Sequence, residues 1–288
     1  MIFLDPKSDI AFKKLFSNAK HTDIIINFLN NTLQRPKDSQ IISVTINDPY
    51  NHPETQFTKS SIVDVRCKDQ NDAEYILEMQ VVNQHDFAER AQYYVAIALA
   101  RQLQRSEEYI KLTPVIFIGI VNFNIFKTEA YISHHGTVDL ETHERTMTFQ
   151  EYHFIELKKF NKDLDKLDND ADKWVYFFKY AKDLETIPKE LKKPLALTEA
   201  FTILEQGNWT RKELEEYDRS LDELRIRNSQ IKTARDEGLL KGKIEGKLEG
   251  EKAKALVIAK NLLDVLDTKT IALKTGLHVE EIELLKKI

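Results

Sequence analysis

Asp64, Glu78 and Gln80 are the residues whose types and spacing best suit chemistry on a phosphate ester. Asp64 lies in the apolar string SIVDVRC, and Glu78 and Gln80 lie two apart in YILEMQVV. In an extended strand that spacing aims Glu78 and Gln80 at one face and Leu77 and Met79 at the other. A carboxylate inside an apolar strand is unfavourable unless it is paired, hydrogen-bonded or neutralised, and Asp is depleted in strands besides. Mg²⁺, Mn²⁺ or another divalent cation resolves that tension, because Mg²⁺ takes one or two carboxylates together with water and substrate phosphate. Such an ion polarises a phosphoryl oxygen, activates a bound water and offsets charge on the leaving oxygen, while the Gln80 amide orients water or a non-bridging oxygen. Taken alone, the two acids fit the solvent face of a half-exposed hairpin equally well.

The elements that must position these residues can be read from periodicity. IISVTIND, SSIVDVRCKD and EYILEMQVV have strand character, and QNDA at 70–73 supplies the turn of a hairpin joining Asp64 to Glu78. Before them, residues 8–33 carry apolar positions at helical spacing, with Ser8 at the N-cap position and Pro36 as a stop. After them, residues 84–108 form a helical pattern, and LTPVIFIGIVN forms a strand apolar enough to be covered on both faces. Strand, helix and buried strand in succession predict an α/β core, with weaker alternation at 129–134 and 145–157 extending the sheet. The expected division is a core over 1–158, a separate helical region over 159–226, and a tail over 227–288. That tail holds a helix with Gly238, Gly242, Gly246 and Gly250 spaced by four, then a helix pair broken at Thr275-Gly276.

Composition narrows the classes. Hydrophobic residues at 42% and charged residues at 31% describe an ordinary globular chain. The formal net charge of -5 gives no global attraction to a polyanion, so nucleic-acid contact must come from a local cluster. Cys67 is the single cysteine, and the opening MIFLDPKSD has no signal-peptide character, so a reducing cytoplasm is expected. No apolar run reaches the ~20 residues of a membrane helix. The eight histidines are dispersed and no glycine-rich nucleotide loop is present, which argues against zinc and nucleotide cofactors.

The longer pattern is more specific than the acids. Asp64, a hairpin, then Glu78-x-Gln80, a helix with Arg90 and Tyr93-Tyr94, and a strand entered through Tyr109, Leu112, Pro114 and Val115 resemble the recombination-promoting nuclease/transposase family of the PD-(D/E)XK nuclease superfamily. The opening Asp5-Pro6-Lys7-x-Asp9-x-x-Phe12-Lys13-x-x-Phe16 and the glycine-spaced tail are similar to that family too. The resemblance implies a restriction-endonuclease-like core, a mixed central sheet flanked by helices, and cutting of DNA with Mg²⁺. It makes Asp64 and Glu78 the metal ligands. Gln80 stands where the broader superfamily has lysine, so a dipole replaces a full charge. Asp9 is a third acidic candidate by the same resemblance, although a helix-capping role is favoured for it.

On the 84–108 segment, Arg90, Tyr94, Arg101 and Arg105 fall in one stripe, which suits phosphate contact and equally a solvated face. Lys7, Lys13 and Lys14 mark the alternative DNA path. The glycine repeat implies close helix approach and self-association through the C-terminal helices, or alternatively a flexible arm. The terminal pair resembles a helix-turn-helix, but Glu280, Glu281 and Glu283 disfavour phosphate contact and point to protein. Three functions follow: a metal-dependent DNA endonuclease first, then a catalytically weak DNA-associated oligomerisation protein, and a strand-transferring transposase.

Overall fold

Segments with alternating apolar residues become strands, and segments with apolar residues every three or four become helices. The structure is a computed structural model that describes residues 2–47, 63–83, 86–104 and 107–286. It opens with α1 (Asp9–Phe16) and α2 (Thr22–Thr32), which divide the pattern over 8–33. The break is an Asn18 turn, in which the Asn18 side chain accepts from Lys20 N–H at 3.0 Å. Ser8 caps α1 by accepting from Ala11 N–H at 3.2 Å. The capping role expected of Asp9 is therefore filled by its neighbour, and the Asp9 carboxylate stays more than half exposed in the first turn.

The strands are β1 (Val44–Asn47), β2 (Val65–Asp69) and β3 (Glu74–Gln80). β2 and β3 form the expected antiparallel hairpin, with Val65 opposite Leu77. Its turn is held by the Asp69 carboxylate, which accepts from the N–H groups of Asn71 and Ala73. A crossover helix, α3 (Phe87–Ala100), leads to β4 (Val115–Val121), which lies parallel to β3. α3 is shorter than the 84–108 pattern. Beyond its cap at Arg101, the Gln102 side chain both accepts from and donates to the Thr113 backbone, and that clasp turns the chain away. β5 (Ile132–Gly136) and β6 (Gln150–Glu156) complete a six-stranded mixed sheet in the order β1-β2-β3-β4-β6-β5.

The pleat divides the core in two. Val65, Cys67, Tyr75, Leu77, Ile116, Ile118 and Ile120 face a layer containing α1 and α2, joined by α4 (Asp170–Tyr180) and α5 (Leu195–Leu204). Ile76, Val115, Phe117, Val121 and Phe154 face α3 through Phe87, Ala91, Val95 and Ala98. Gly119 makes room on that second face, since a Cβ there would lie 2.8 Å from Phe87 Cε1. α4 and α5 are not set apart from the sheet. Trp174 and Phe178 pack edge-on against Phe28 at ring-centroid distances of 5.6 and 5.7 Å, because a helix with that much aromatic surface is most stable inside a shared core.

The chain forms two compact units, Met1–Leu224 and Arg225–Ile288. The second unit contains the later part of α6 (Arg211–Leu262) with α7 (Thr268–Thr275) and α8 (Val279–Leu285), around Ala259, Ile271, Leu277 and Ile282. Gly276, at φ 72°, takes the left-handed conformation that ends α7. Among the described residues nothing approaches within 4 Å of a Cβ placed at Gly238, Gly242, Gly246 or Gly250.

Candidate active site

Glu78 and Gln80 lie at the end of β3, on the α3 side of the pleat with Ile76. Asp64 immediately precedes Val65, so the hairpin register sets it against Glu78. The contacts are reciprocal. Met79 N–H donates to Asp64 Oδ2 at 2.8 Å, and Asp64 N–H donates to the Glu78 carboxylate. Both acids are largely buried, Glu78 at 7% exposure, and Glu78 Oε1 has no hydrogen-bond partner.

Burial dominates the electrostatics. Desolvation pushes Asp64 up from its ordinary 3.8 to about 7; the nearby Asp9 charge adds to this, while the Met79 N–H and the Lys13 ammonium oppose it. Desolvation also lifts Glu78 well above the carboxylate range, reinforced by the Asp64 charge and opposed by Arg90 and Lys13. Asp9 therefore belongs to this cluster through space, although it reaches it from α1.

The remaining expected residues divide. Arg90 donates to Gln80 Oε1 at 3.0 Å and lies 5.0 Å from the Phe87 ring, and Gln80 Nε2 donates to Val82 O at 3.0 Å. One acceptor and one donor position of the Gln80 amide are thus already used. Tyr94 sits close enough that, after burial, the Glu78 charge is the main influence raising its phenol. Arg101 is the α3 C-cap, eleven residues beyond Arg90 and so about 16 Å along the axis. Arg105 lies outside the described residues. Among the lysines, Lys7 is buried and donates to Phe178 O, and Lys14 pairs with Glu213 and lies over Trp209. Lys13 alone of the three stands beside the acids, 4.0 Å from Asp64 Oδ1.

The acids fit a hard divalent cation. All the donors are carboxylate oxygens, Glu78 is buried and Asp64 partly so, and one buried Glu78 oxygen is unsatisfied. Two other clusters were not legible in the dispersed histidines. His21, Asp23 and Glu199 bring ligand atoms within 4.8 Å of one another, sharing no residue with the site above. His134 and His153 meet across β5 and β6 with Nδ1 atoms 2.6 Å apart, and Glu151 contacts His153 Nε2 at 3.2 Å. His21-x-Asp23 at a helix start was the one visible hint, since Glu199 enters from 178 positions away.

A mixed sheet crossed by α3, with one acid on β3 and another just before the adjoining β2, defines a restriction-endonuclease-like α/β core followed by a helical region. The chain matches the model of the PD-(D/E)XK nuclease family transposases over residues 6–234 and belongs to that family. No curated protein and no solved structure matches it. No helix among the described residues is long and apolar enough to cross a membrane.

Proposed function

We propose that this chain is a metal-dependent DNA endonuclease, with Asp64 and Glu78 holding Mg²⁺ and Asp9 as an accessory acid. The observation that carries this reading is the unpartnered, buried Glu78 Oε1 beside a second, partly buried carboxylate, that of Asp64. A fold that leaves two adjacent acids short of counter-charge is stabilised by whatever cation completes them. When bound, a divalent cation supplies Lewis acidity toward a phosphodiester oxygen and toward water. The protein's part is placement. Strand pairing fixes both carboxylates, Arg90 fixes the Gln80 amide, and the remaining N–H and lone pair of that amide orient water or phosphate.

DNA contact is assigned to Arg90, Tyr94, Arg101 and Arg105, with the first two beside the acids and Arg101 further along α3. Self-association is assigned to the C-terminal helices, where Leu240, Ile244 and Leu248 are more than half exposed beside the open glycines. Nicking of supercoiled plasmid should occur with Mg²⁺ or Mn²⁺ and stop in EDTA, and a lack of metal-stimulated nicking overturns the reading. Joined rather than merely cut products would point to strand transfer by the same residues.

A further inference from the structure

The site gathers three carboxyl groups around a single amide. Asp9, Asp64 and Glu78 converge there, while the residue two beyond Glu78 offers only an amide, half of it already committed to Arg90 and Val82. Among the described residues Arg90 and Lys13 reach the acids, and their surroundings differ. Arg90 is held by Gln80 and by the face of Phe87. Lys13 lies 3.0 and 3.1 Å from the two Asp9 oxygens and 4.0 Å from Asp64 Oδ1, with its side chain about one-third exposed.

The placement of Lys13 comes from α1. The Ser8 cap fixes the start of the helix, and Ala11, Phe12, Leu15 and Phe16 bury its apolar face, so Lys13 stands one turn beyond Asp9 with its ammonium over the Asp64 carboxylate. An exposed i,i+4 pair contributes little to stability, so the arrangement does little for the fold. It puts a partly exposed full charge next to the acid that would hold the metal.

We infer that Lys13 is the substrate-facing cation of this site, contacting the phosphate at the cut and supplying from α1 the charge that Gln80 lacks. The inference rests on the nuclease reading above. Without substrate, Lys13 shields Asp64 and competes with a divalent cation for it; with DNA in place, its ammonium is drawn to the phosphate oxygens. Arg90 does not serve in its place, because its guanidinium is engaged in positioning Gln80.

The test compares the full-length protein with Lys13→Met, Lys13→Arg and Asp64→Asn, using Mn²⁺ affinity by calorimetry, duplex affinity in Ca²⁺ and plasmid cleavage. Lys13→Met should bind Mn²⁺ severalfold more tightly, bind DNA more weakly in Ca²⁺, and cleave about 10²–10³-fold more slowly, the range for losing one charge-stabilising donor. Lys13→Arg should recover part of the cleavage. A merely structural lysine cannot strengthen metal binding while weakening DNA binding and cleavage. Unchanged DNA affinity, or cleavage by Lys13→Met within twofold of the parent, overturns the inference. Unchanged Mn²⁺ affinity in Asp64→Asn would instead remove the metal-site reading and the inference with it.

Discussion

Glu78 and Glu156 are buried glutamates on parallel strands of one sheet, and the fold treats them in opposite ways. Gln80 pairs with Val121 and Val121 with Glu156, so the two acids are only two residues out of step. Glu156 is completely buried, yet it receives the N–H groups of Ile125 and Phe126 and pairs with Lys159 at 2.6 Å. Glu78 is nearly as buried, but Oε1 has no partner and its neighbour is another carboxylate. Burial alone therefore does not mark a functional acid. The distinguishing feature is whether the buried carboxylate oxygens are met directly by donors and a paired cation, as at Glu156, or left in part without a hydrogen-bond partner, as at Glu78.

Substitution should separate the two sites most sharply. Asp64→Asn and Glu78→Gln should each abolish metal-stimulated plasmid cleavage while melting at or above the parent temperature in EDTA, because a costly buried acid is replaced by a neutral amide. Cleavage retained by both folded variants would remove the assignment. Glu156→Ala should instead lower unfolding free energy by about 3–5 kcal/mol in urea titrations, the usual cost of stranding a buried partner, here Lys159. Added Mg²⁺ should not restore that loss.

The next effect is a dependence on pH. Asp64 in the folded protein holds its proton up to about 7 against an ordinary 3.8. Its contribution to stability is therefore complete below about 4 and is lost as pH rises through about 7. In EDTA the folding stability of the parent should fall across that interval relative to Asp64→Asn, and Mg²⁺ should reverse the difference at the upper end. A parent-minus-variant difference that is flat in pH would show that Asp64 titrates as an ordinary surface acid. The smallest effect is expected on α3. Reversing Arg101 and Arg105 to Glu should weaken binding to all DNA sequences alike and reduce the salt slope by roughly one unit per lost phosphate contact. An unaltered slope would leave those side chains as part of a solvated face.

The hairpin and its acids were legible because they are local. Strand alternation, the turn at 70–73 and the two-residue spacing of Glu78 and Gln80 all lie within 17 positions, and the register follows from them. The α3 crossover and the buried β4 were legible for the same reason. The inserted order of β6 between β4 and β5 was not, since nothing in a strand's own pattern names its neighbours. Helix lengths were overrun wherever a side chain ended the element without glycine or proline, as Asn18 does after α1 and Gln102 after α3. Asp9 and Lys13 were visible in the opening motif, but their meeting with Asp64 depends on how α1 seats in the core.

Gly119 links that core to the chemistry. The Phe87 ring rests where a methyl group at position 119 would be, packs edge-on to Phe117, Phe123 and Phe154, and lies beneath Arg90, which in turn holds Gln80. The absent side chain works as a depth stop: it fixes how close α3 may come to the sheet, and so how far the guanidinium extends beyond the last strand residues. Even the smallest side chain added at this position would meet the Phe87 and Phe117 rings and require them to shift. The amide beside the acids is thus aligned from beneath the helix, by a residue that never faces the substrate.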